Sequence, residues 1–182
     1  ADGGEAMMCL NGIRCASRYI WMSNFAPTRK MILETKSKVA LVEPLGEVNV
    51  IATIDIPSFY KDPELELALK KLIDMPFSLI DAGNLHLCIE VDDFDNFELE
   101  EFYRQLESTI KPHQINVSIY KKSDTDIRIT TYENGVGITL SCGSASASVA
   151  FLNIKKGLAL DICSDGGSLN FLVANDKLIM QG

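Results

Sequence analysis

The sequence predicts an α+β protein with a mainly antiparallel sheet. Three observations support this class: short β-branched runs that alternate with polar residues, two stretches with capping residues and helical spacing, and brief turns between neighbouring strands. The chain has 182 residues, of which 47% are hydrophobic, so it is long enough to bury a substantial core. Its length is compatible with one domain or with two small ones.

The first part of the chain predicts one helix followed by two strands. Residues 13–21 have a helix-like composition. Residues 39–42 and 48–56 are short and rich in β-branched side chains, and Pro44 and Gly46 between them suit a turn. This stretch therefore predicts a hairpin.

Two helices are predicted in the middle of the chain. Asp62 is a capping residue before Pro63 at the first helical position, and a second helix is predicted from near Asp95 to about Thr109, with Glu98 completing a capping-box-like pair. The first of these helices has one apolar face, formed by Leu65, Leu69, Leu72 and Ile73.

Further strands surround the second helix. Residues 77–91 predict a strand that is broken at 82–84, and the alternating apolar residues of 115–119 and 127–129 predict two more. A glycine-rich turn follows at 133–137.

The last part of the chain predicts a small-residue helix and a hairpin. Residues 142–150 are almost all Gly, Ser, Ala and Val, which favours a helix packed closely against other backbone. Residues 158–162 and 169–173 flank an Asp-Gly-Gly turn and predict two paired strands.

Charge and hydropathy exclude two classes of partner. The net charge is −8 and the pI is about 4.8, which is unlike the basic face of an electrostatic nucleic-acid binder. No apolar run approaches the roughly 18 residues of a transmembrane helix. Residues 1–5 have no basic or apolar region typical of a signal peptide. We expect neither a nucleic-acid nor a membrane partner.

The cysteines indicate a reducing compartment. An odd number of cysteines in a chain of this size is typical of reduced thiols in the cytoplasm rather than of a disulfide framework. There is no C-x-x-C pair, and the two histidines are His86 and His113, so no metal site is predicted. The five cysteines are Cys9, Cys15, Cys88, Cys142 and Cys163.

A faint internal repeat surrounds two of these cysteines. Gly4 precedes Cys9 by the same spacing with which Gly137 precedes Cys142, and in each case a polar or small pair follows and opens a helix-like run. The repeat predicts two pseudo-symmetric domains, each with one cysteine at a helix N-terminus.

A cysteine at a helix N-terminus has a chemical consequence. The free N–H groups and the helix dipole favour a thiolate, and the same N–H groups can bind a carboxylate. Two such helix ends around a small acid would let one thiolate remove a proton from carbon while the other thiol returns one on the opposite face, which inverts a stereocentre. The alternative for any free cysteine is a small buried hydrophobic residue, and we assign Cys15, Cys88 and Cys163 to that class.

Four motifs resemble those of diaminopimelate epimerase. Residues 1–16, ADGGEAMMCLNGIRCA, resemble its first signature, ADGSE…CGNGxRC, and residues 132–144, YENGVGITLSCGS, resemble the second, YERGxGxTxACGxG. Residues 82–86, AGNLH, are similar to its GNPH segment, and residues 115–117 to its INVGF strand.

The resemblance implies an α+β fold of two similar domains, each with a mainly antiparallel sheet wrapped around a central helix. Residues 1–56 would be a partial N-terminal domain that carries Cys9, and residues 57–182 a C-terminal domain that carries Cys142 and whose end heads back to the first. It also implies an isomerase without a cofactor, which interconverts LL- and meso-diaminopimelate in lysine and peptidoglycan biosynthesis. The partner would be the small-molecule substrate, and the place the cytoplasm; a homodimer is an open alternative to a monomer.

The resemblance also assigns roles to individual residues. Cys9 and Cys142 would be the acid/base pair. The reacting carboxylate would be bound by the backbone N–H groups of four residues: Leu10, Asn11, Gly143 and Ser144. Polar ends of the substrate would meet Asn84, Asn116 and the position of Asn134, and the reacting centre would lie beside Glu133 and His86. For Asn84 and His86, a satisfied turn residue and a packed imidazole are the alternatives.

Several positions depart from the family pattern. Leu10 replaces a glycine and would be strained if its φ were positive. Asn134 replaces an arginine that binds the distal carboxylate, and the loss of such a donor weakens carboxylate recognition. Leu85 and Ala145 are milder changes. The resemblance also implies that an N-terminal segment and the last strand lie outside this chain. Two other functions therefore stay open: a related amino-acid racemase or isomerase with another substrate, and a non-catalytic protein that binds a ligand or partner.

Overall fold

A computed structural model of the chain describes residues 7–182. In this part of the chain the helices are α1 (Leu10–Met22), α2 (Pro63–Leu69), α3 (Leu99–Ile110) and α4 (Gly143–Asn153). The strands are β1 (Met31–Glu34), β2 (Val39–Leu45), β3 (Asn49–Asp55), β4 (Ser58–Phe59), β5 (Phe77–Asp81), β6 (Leu85–Glu90), β7 (Asn116–Lys122), β8 (Asp126–Glu133), β9 (Gly137–Thr139), β10 (Leu160–Ser164), β11 (Gly167–Ala174) and β12 (Lys177–Gln181).

The strands form one continuous sheet. Their order is β1-β2-β3-β12-β11-β10-β8-β7-β6-β5-β4, and β9 pairs with β8 beside this path. Two pairs, β6 with β7 and β8 with β10, are parallel, whereas the other pairs are antiparallel. The predicted α+β class is therefore confirmed. The final strand, β12, pairs with β3 and so connects the beginning of the chain to its end.

Most predicted elements are present with small shifts of their ends. The two early strands are β2 and β3, the interrupted strand is β5 and β6, and the C-terminal hairpin is β10 and β11. The small-residue helix is α4, and its residues 143–150 are all buried, which agrees with a helix enclosed by backbone. Strands β1, β4, β9 and β12 were not predicted; β12 pairs with β3, although the last strand was expected outside this chain.

The two middle helices differ from their predictions. The helix expected from Asp95 begins at Leu99, and Glu98 makes no side-chain cap bond. Instead, the Asn96 amide donates to the Asp93 carboxylate, which holds this segment in a turn. Helix α2 ends at Leu69, and Leu72 is half exposed because the chain turns before it.

Two apolar clusters cover opposite faces of the sheet. The first contains α1 and α4, with Leu10, Trp21 and Ala147 among its buried side chains. The second contains α2 and α3, with Leu69 and Leu106 at its centre. The first cluster positions the site, because it brings the N-termini of α1 and α4 together. The domain boundary after residue 56 stays a prediction.

Candidate active site

Cys9 and Cys142 are the N-cap residues of α1 and α4. Both have extended backbone angles, φ −138° and ψ 101° for Cys9 and φ −118° and ψ 109° for Cys142. Such angles are typical of the residue that opens a helix, where a side chain can accept from free backbone amides. Cys9 does so, since the Gly12 amide donates to its sulfur at 3.2 Å.

The two helix N-termini are in direct contact. A Cβ atom added to Gly143 would lie 2.8 Å from Leu10 Cβ and 3.2 Å from Asn11 Oδ1, so only glycine leaves room for the α1 N-terminus. The side-chain amide of Asn11 donates to the Ser141 backbone carbonyl at 3.1 Å and stabilises the same contact. Leu10 is buried and helical, without the positive φ that would have strained it.

The first turns of both helices offer backbone N–H groups. In α1, the first backbone amide that donates to a carbonyl of the same helix is that of Ile13, and its acceptor is Cys9. In α4 it is that of Ser146, and its acceptor is Cys142. Earlier amides of a helix have no such partner and are suited to bind an anion. They include the four predicted carboxylate-binding amides, of Leu10, Asn11, Gly143 and Ser144.

The Ser144 hydroxyl connects three of the predicted site residues. Its oxygen lies 3.0 Å from His86 Nε2, 3.4 Å from Asn84 Nδ2 and 3.5 Å from Cys142 Sγ. His86 lies on β6 and is fully buried, and its Nδ1 atom has no hydrogen-bond partner. Burial lowers the pKa of His86 to about 3, so the ring is neutral at pH 7.

The unpartnered Nδ1 atom of His86 indicates which ring nitrogen carries the proton of the neutral imidazole. A buried N–H without an acceptor is rarer in proteins than an unsatisfied acceptor, which favours a proton on Nε2. His86 Nε2 and Asn84 Nδ2 then both donate to the Ser144 oxygen. The Ser144 hydroxyl proton is left for Cys142 Sγ, where it would stabilise a thiolate.

The environment of Cys142 nevertheless favours its neutral thiol. Burial, followed by the negative charge of Glu133, raises the pKa of Cys142 to about 11. The Ser144 hydroxyl and the backbone amides of Ser144 and Ala145 act in the opposite direction. Cys142 therefore keeps its proton at pH 7.

Three other predicted residues lie where β7 begins and β8 ends. The Asn134 backbone amide donates to Asn116 Oδ1 at 3.0 Å, and Asn116 Nδ2 donates to the Leu85 carbonyl at 3.3 Å. The side chain of Asn116 thus holds neighbouring backbone. The third residue, Glu133, accepts a 2.6 Å bond from the Thr139 hydroxyl.

Asn134 takes part in a contact that the sequence did not predict. Its Oδ1 atom accepts from the Tyr103 hydroxyl at 3.0 Å, and the Tyr103 ring stacks on Tyr132 with 3.8 Å between centroids. Tyr103 lies on α3, far from any motif, so no sequence pattern could have found it. Thr139 lies within the second motif and could have been noted as a hydroxyl three residues before Cys142.

Asn84 joins the residue before Cys9 to the first turn of α4. Its Nδ2 atom donates to the Met8 carbonyl at 2.8 Å, beside Cys9, as well as lying near Ser144. The residues that the structure brings together are therefore Asn84, His86, Cys142 and Ser144, with the N-terminus of α1 against them. Residues 1–6 of the first motif lie outside the described residues.

The remaining cysteines are in three different environments. Cys88 is buried, as predicted, and burial raises the pKa of its thiol. Cys163 is half-buried and accepts a 3.2 Å bond from the Ser168 hydroxyl. Cys15 is exposed, so the expectation that it packs in the core is wrong. It lies on the side of α1 that faces away from the sheet.

Within residues 7–182, no three His, Cys, Asp or Glu side chains converge as metal ligands would. In the same part of the chain, no helix has the length and apolar character needed to cross a bilayer.

Comparison with known proteins places the chain in a family. The sequence profile of diaminopimelate epimerase matches residues 78–182. The diaminopimelate epimerase of Bacteroides thetaiotaomicron is 32% identical over the whole chain, which covers 71% of that protein. The chain belongs to the diaminopimelate epimerase family. Members of this family are isomerases. The α+β fold that the resemblance implied agrees with the sheet and helices described above.

A second relative has the same name, and a solved structure of a differently named protein has a similar fold. The diaminopimelate epimerase of Clostridium acetobutylicum is 33% identical and aligns with 97% of this chain, which covers 60% of that protein. A crystal structure of a Bacillus anthracis phenazine biosynthesis protein of the PhzF family superimposes with a TM-score of 0.66 over 99% of this chain and 74% of the other, at 13% identity. That likeness concerns the fold alone. The chain thus spans between 60% and 71% of the length of these two epimerase relatives.

Proposed function

We propose that the chain interconverts LL- and meso-diaminopimelate by moving protons between the substrate α-carbon and two thiols, Cys9 and Cys142. The observation that carries this proposal is the contact between the N-termini of α1 and α4, each of which begins directly after one of these cysteines. We further propose that the protein acts in the cytoplasm, in the biosynthesis of lysine and peptidoglycan precursors. A homodimer is the assembly to be tested.

The reacting carboxylate would be bound between the two helix ends. The backbone amides of Leu10 and Asn11 on one side and of Gly143 and Ser144 on the other supply donors without competing helical carbonyls. Both helix dipoles direct partial positive charge to the same place. When the α-carbon loses its proton, negative charge moves onto this carboxylate, so the same donors stabilise the carbanion more than the substrate.

The two thiols have complementary roles in one direction of the reaction. The Cys9 thiolate, which accepts a hydrogen bond from the Gly12 amide, takes the α-proton and becomes a thiol. Cys142, whose raised pKa keeps it protonated, donates its proton to the opposite face and becomes a thiolate. The Ser144 hydroxyl stabilises that thiolate through the 3.5 Å contact. The reverse reaction exchanges the two roles.

The remaining site residues would bind or orient the substrate. Asn84, Asn116 and Asn134 carry amide groups suited to polar substrate ends. Glu133 would attract the substrate α-ammonium group, in addition to its effect on Cys142. His86 acts through Ser144 and is a positioning residue.

An exchange experiment tests the proposal. The chain is incubated with LL-diaminopimelate in D₂O, and loss of the α-proton signal is followed by NMR. We expect exchange with the unchanged chain, a loss of at least about a hundredfold in Cys9→Ala and Cys142→Ala, and no loss in Cys15→Ala, the exposed control on α1. Exchange that persists in both site variants contradicts the two-thiol mechanism.

A second candidate has support from Asn134. Its side chain is a neutral amide already bonded to Tyr103, which offers a distal carboxylate less than an arginine would. The candidate function is racemisation of another amino acid at the same two thiols. Exchange of a different amino acid in D₂O, without exchange of diaminopimelate, would favour it.

A further inference from the structure

The side chain of Glu133 is held by a single hydroxyl group. Thr139 Oγ1 donates to Glu133 Oε1 at 2.6 Å, and both side chains are half-buried. A hydroxyl that donates to an ionised carboxylate forms a hydrogen bond about twice as strong as one between neutral groups. Among residues 7–182, no other group forms a hydrogen bond or ion pair with this carboxylate. Glu133 Oε1 therefore has a fixed partner, whereas Oε2 is available to a ligand.

The fold brings the two side chains together through a tight hairpin. Strands β8 and β9 pair with Thr131 opposite Thr139 and with Glu133 opposite Gly137. Glu133 and Thr131 lie two residues apart on one strand and share a face of the sheet, which makes Glu133 a diagonal neighbour of Thr139. Gly135 and Gly137 have φ angles of +77° and +101°, which residues with a side chain rarely adopt. The glycine-rich turn of the second motif thus returns Thr139 to the side of Glu133.

The same hairpin connects the carboxylate to the second thiol. Thr139 precedes Cys142 by three residues, and β9 leads directly to the start of α4. After burial, the negative charge of Glu133 is the largest cause of the raised pKa of Cys142. The interaction between two charges weakens as their separation grows. The effect of Glu133 on the thiol therefore depends on where the Thr139 hydroxyl holds the carboxylate.

We propose that Thr139 is a positioning residue of the reaction: its hydroxyl holds the Glu133 carboxylate so that Oε2 binds the substrate α-ammonium group beside Cys142. This inference rests on the proposed two-thiol epimerase. Without substrate, the carboxylate charge opposes a thiolate at Cys142. A bound ammonium group offsets that charge, so the thiolate forms more readily once the substrate is in place. Thr139 thereby couples substrate binding to proton transfer without itself touching a reacting atom.

Three variants and two measurements test the role of the hydroxyl. Thr139→Val removes it, Thr139→Ser retains it, and Thr130→Val alters a half-buried threonine that faces the opposite side of β8. The first measurement is the rate at which iodoacetamide labels Cys142 at pH 9 without substrate. The second is the kcat and KM for diaminopimelate, obtained from α-proton exchange in D₂O.

We expect a KM about tenfold higher in Thr139→Val, with a smaller change in kcat, because the carboxylate is no longer fixed for the ammonium group. Labelling of Cys142 should become about threefold faster, since a carboxylate that can move away opposes the thiolate less. Both quantities should stay within about twofold of the unchanged chain in Thr139→Ser and Thr130→Val. Thermal unfolding identifies a variant that fails to fold, and Thr139→Ala then takes the place of Thr139→Val.

A double variant separates positioning from a general effect on structure. If the hydroxyl acts through the carboxylate alone, Thr139→Val combined with Glu133→Gln should label Cys142 at the rate of Glu133→Gln alone. A further increase in the double variant would show that the hydroxyl affects Cys142 by another route, and would overturn the inference.

Two other outcomes overturn the inference while the epimerase stands. One is a KM or a labelling rate that stays within about twofold in Thr139→Val, and the other is a Thr139→Ser variant as impaired as Thr139→Val. A different result, no exchange of diaminopimelate by the unchanged chain, would contradict the proposed function itself. The labelling measurement needs no substrate, so it tests the hold of Thr139 on Glu133 in either case.

Discussion

At the scale of single residues, the Ser144 hydroxyl acts on the second thiol against the effects of burial and of Glu133. It lies between the neutral, fully buried His86 ring and Cys142 Sγ, and a proton on His86 Nε2 would leave the hydroxyl proton for the sulfur. Glu133 has the opposite effect, because its charge opposes a thiolate. These two groups act on the pKa of Cys142 in opposite directions, while burial is the largest cause of its rise.

Removing the hydroxyl should make Cys142 harder to ionise. In Ser144→Ala the stabilising hydrogen bond is absent, so we expect the pKa of Cys142 to rise above its value of about 11. The rate at which iodoacetamide labels Cys142 at pH 9, measured by peptide mass spectrometry, should fall by about threefold or more. Ser146→Ala, also buried on α4, is the control. Equal labelling of both variants would show that the hydroxyl is not oriented toward the sulfur.

Removing the charge should have the opposite effect. In Glu133→Gln we expect the pKa of Cys142 to fall, and labelling of Cys142 at pH 9 to become faster, because the repulsion of the thiolate is gone. Glu98→Gln, exposed at the start of α3, should leave the rate unchanged. A slower reaction in Glu133→Gln would contradict the electrostatic role of this carboxylate.

His86 should make stability depend on pH. Its folded pKa of about 3 lies below its ordinary value of 6.5, so the stability that it contributes is complete above pH 6.5 and is lost as the pH falls toward 3. The free energy of unfolding in urea should decrease by up to about 1.4 kcal/mol per pH unit in this window.

Two variants isolate this contribution. His86→Leu should flatten the decrease, whereas His113→Gln, in the short turn between α3 and β7, should retain it. A decrease of the same slope in His86→Leu would mean that other groups cause it. Asp55 acts in a lower range, since its pKa is lowered below 3.8 by Lys177.

At the scale of elements, the contact between α1 and α4 determines whether the two thiols can share a substrate. The sequence predicted both helices, and it predicted that a cysteine opens each of them. It could not predict that Leu10 fits against Gly143, because that contact joins residues 133 positions apart. Nor could it predict the shared strand β12, whose partner β3 is set by the fold as a whole.

Short elements were missed for a related reason. Strand β1 has only four residues and β4 only two, so neither offers a pattern long enough to recognise, and both exist through pairing with β2 and β5. The start of α3 was misplaced because Asp95 looked like a cap, whereas Asp93 and Asn96 form a local hydrogen bond instead. At that position the local side-chain hydrogen bond competes with helix formation.

A methyl group at position 143 should separate the helix ends. In Gly143→Ala the new Cβ would lie 2.8 Å from Leu10 Cβ, so α1 must move, at a cost of about 1–3 kcal/mol in the free energy of unfolding. Exchange of the substrate α-proton should fall by at least about tenfold. The double variant Leu10→Gly with Gly143→Ala should recover exchange relative to Gly143→Ala alone. No recovery would indicate that the contact does not control the approach of the helices.

At the scale of the whole molecule, one sheet carries both halves of the site. Strands β1 to β3 and α1 bring Cys9, whereas β5 to β9 and α4 bring His86, Glu133 and Cys142, and β12 joins the two sets. The repeat in the sequence predicted one cysteine at the start of each of two helices, and the division into two domains stays a prediction. The cavity of about 300 Å³ that Lys38 and Asp81 help to line was not predicted, because neither residue belongs to a motif.

The central claim is that two thiols act on opposite faces of one carbon, and the position of deuterium tests it most directly. The chain converts LL-diaminopimelate in D₂O, and the reaction is stopped early and analysed by mass spectrometry of the separated stereoisomers. Because the proton comes from a second, solvent-exchanged thiol, the product should carry deuterium while the unreacted substrate carries almost none. Deuterium that appears equally in both from the first turnovers would show that a single group removes and returns the proton, and would contradict the account.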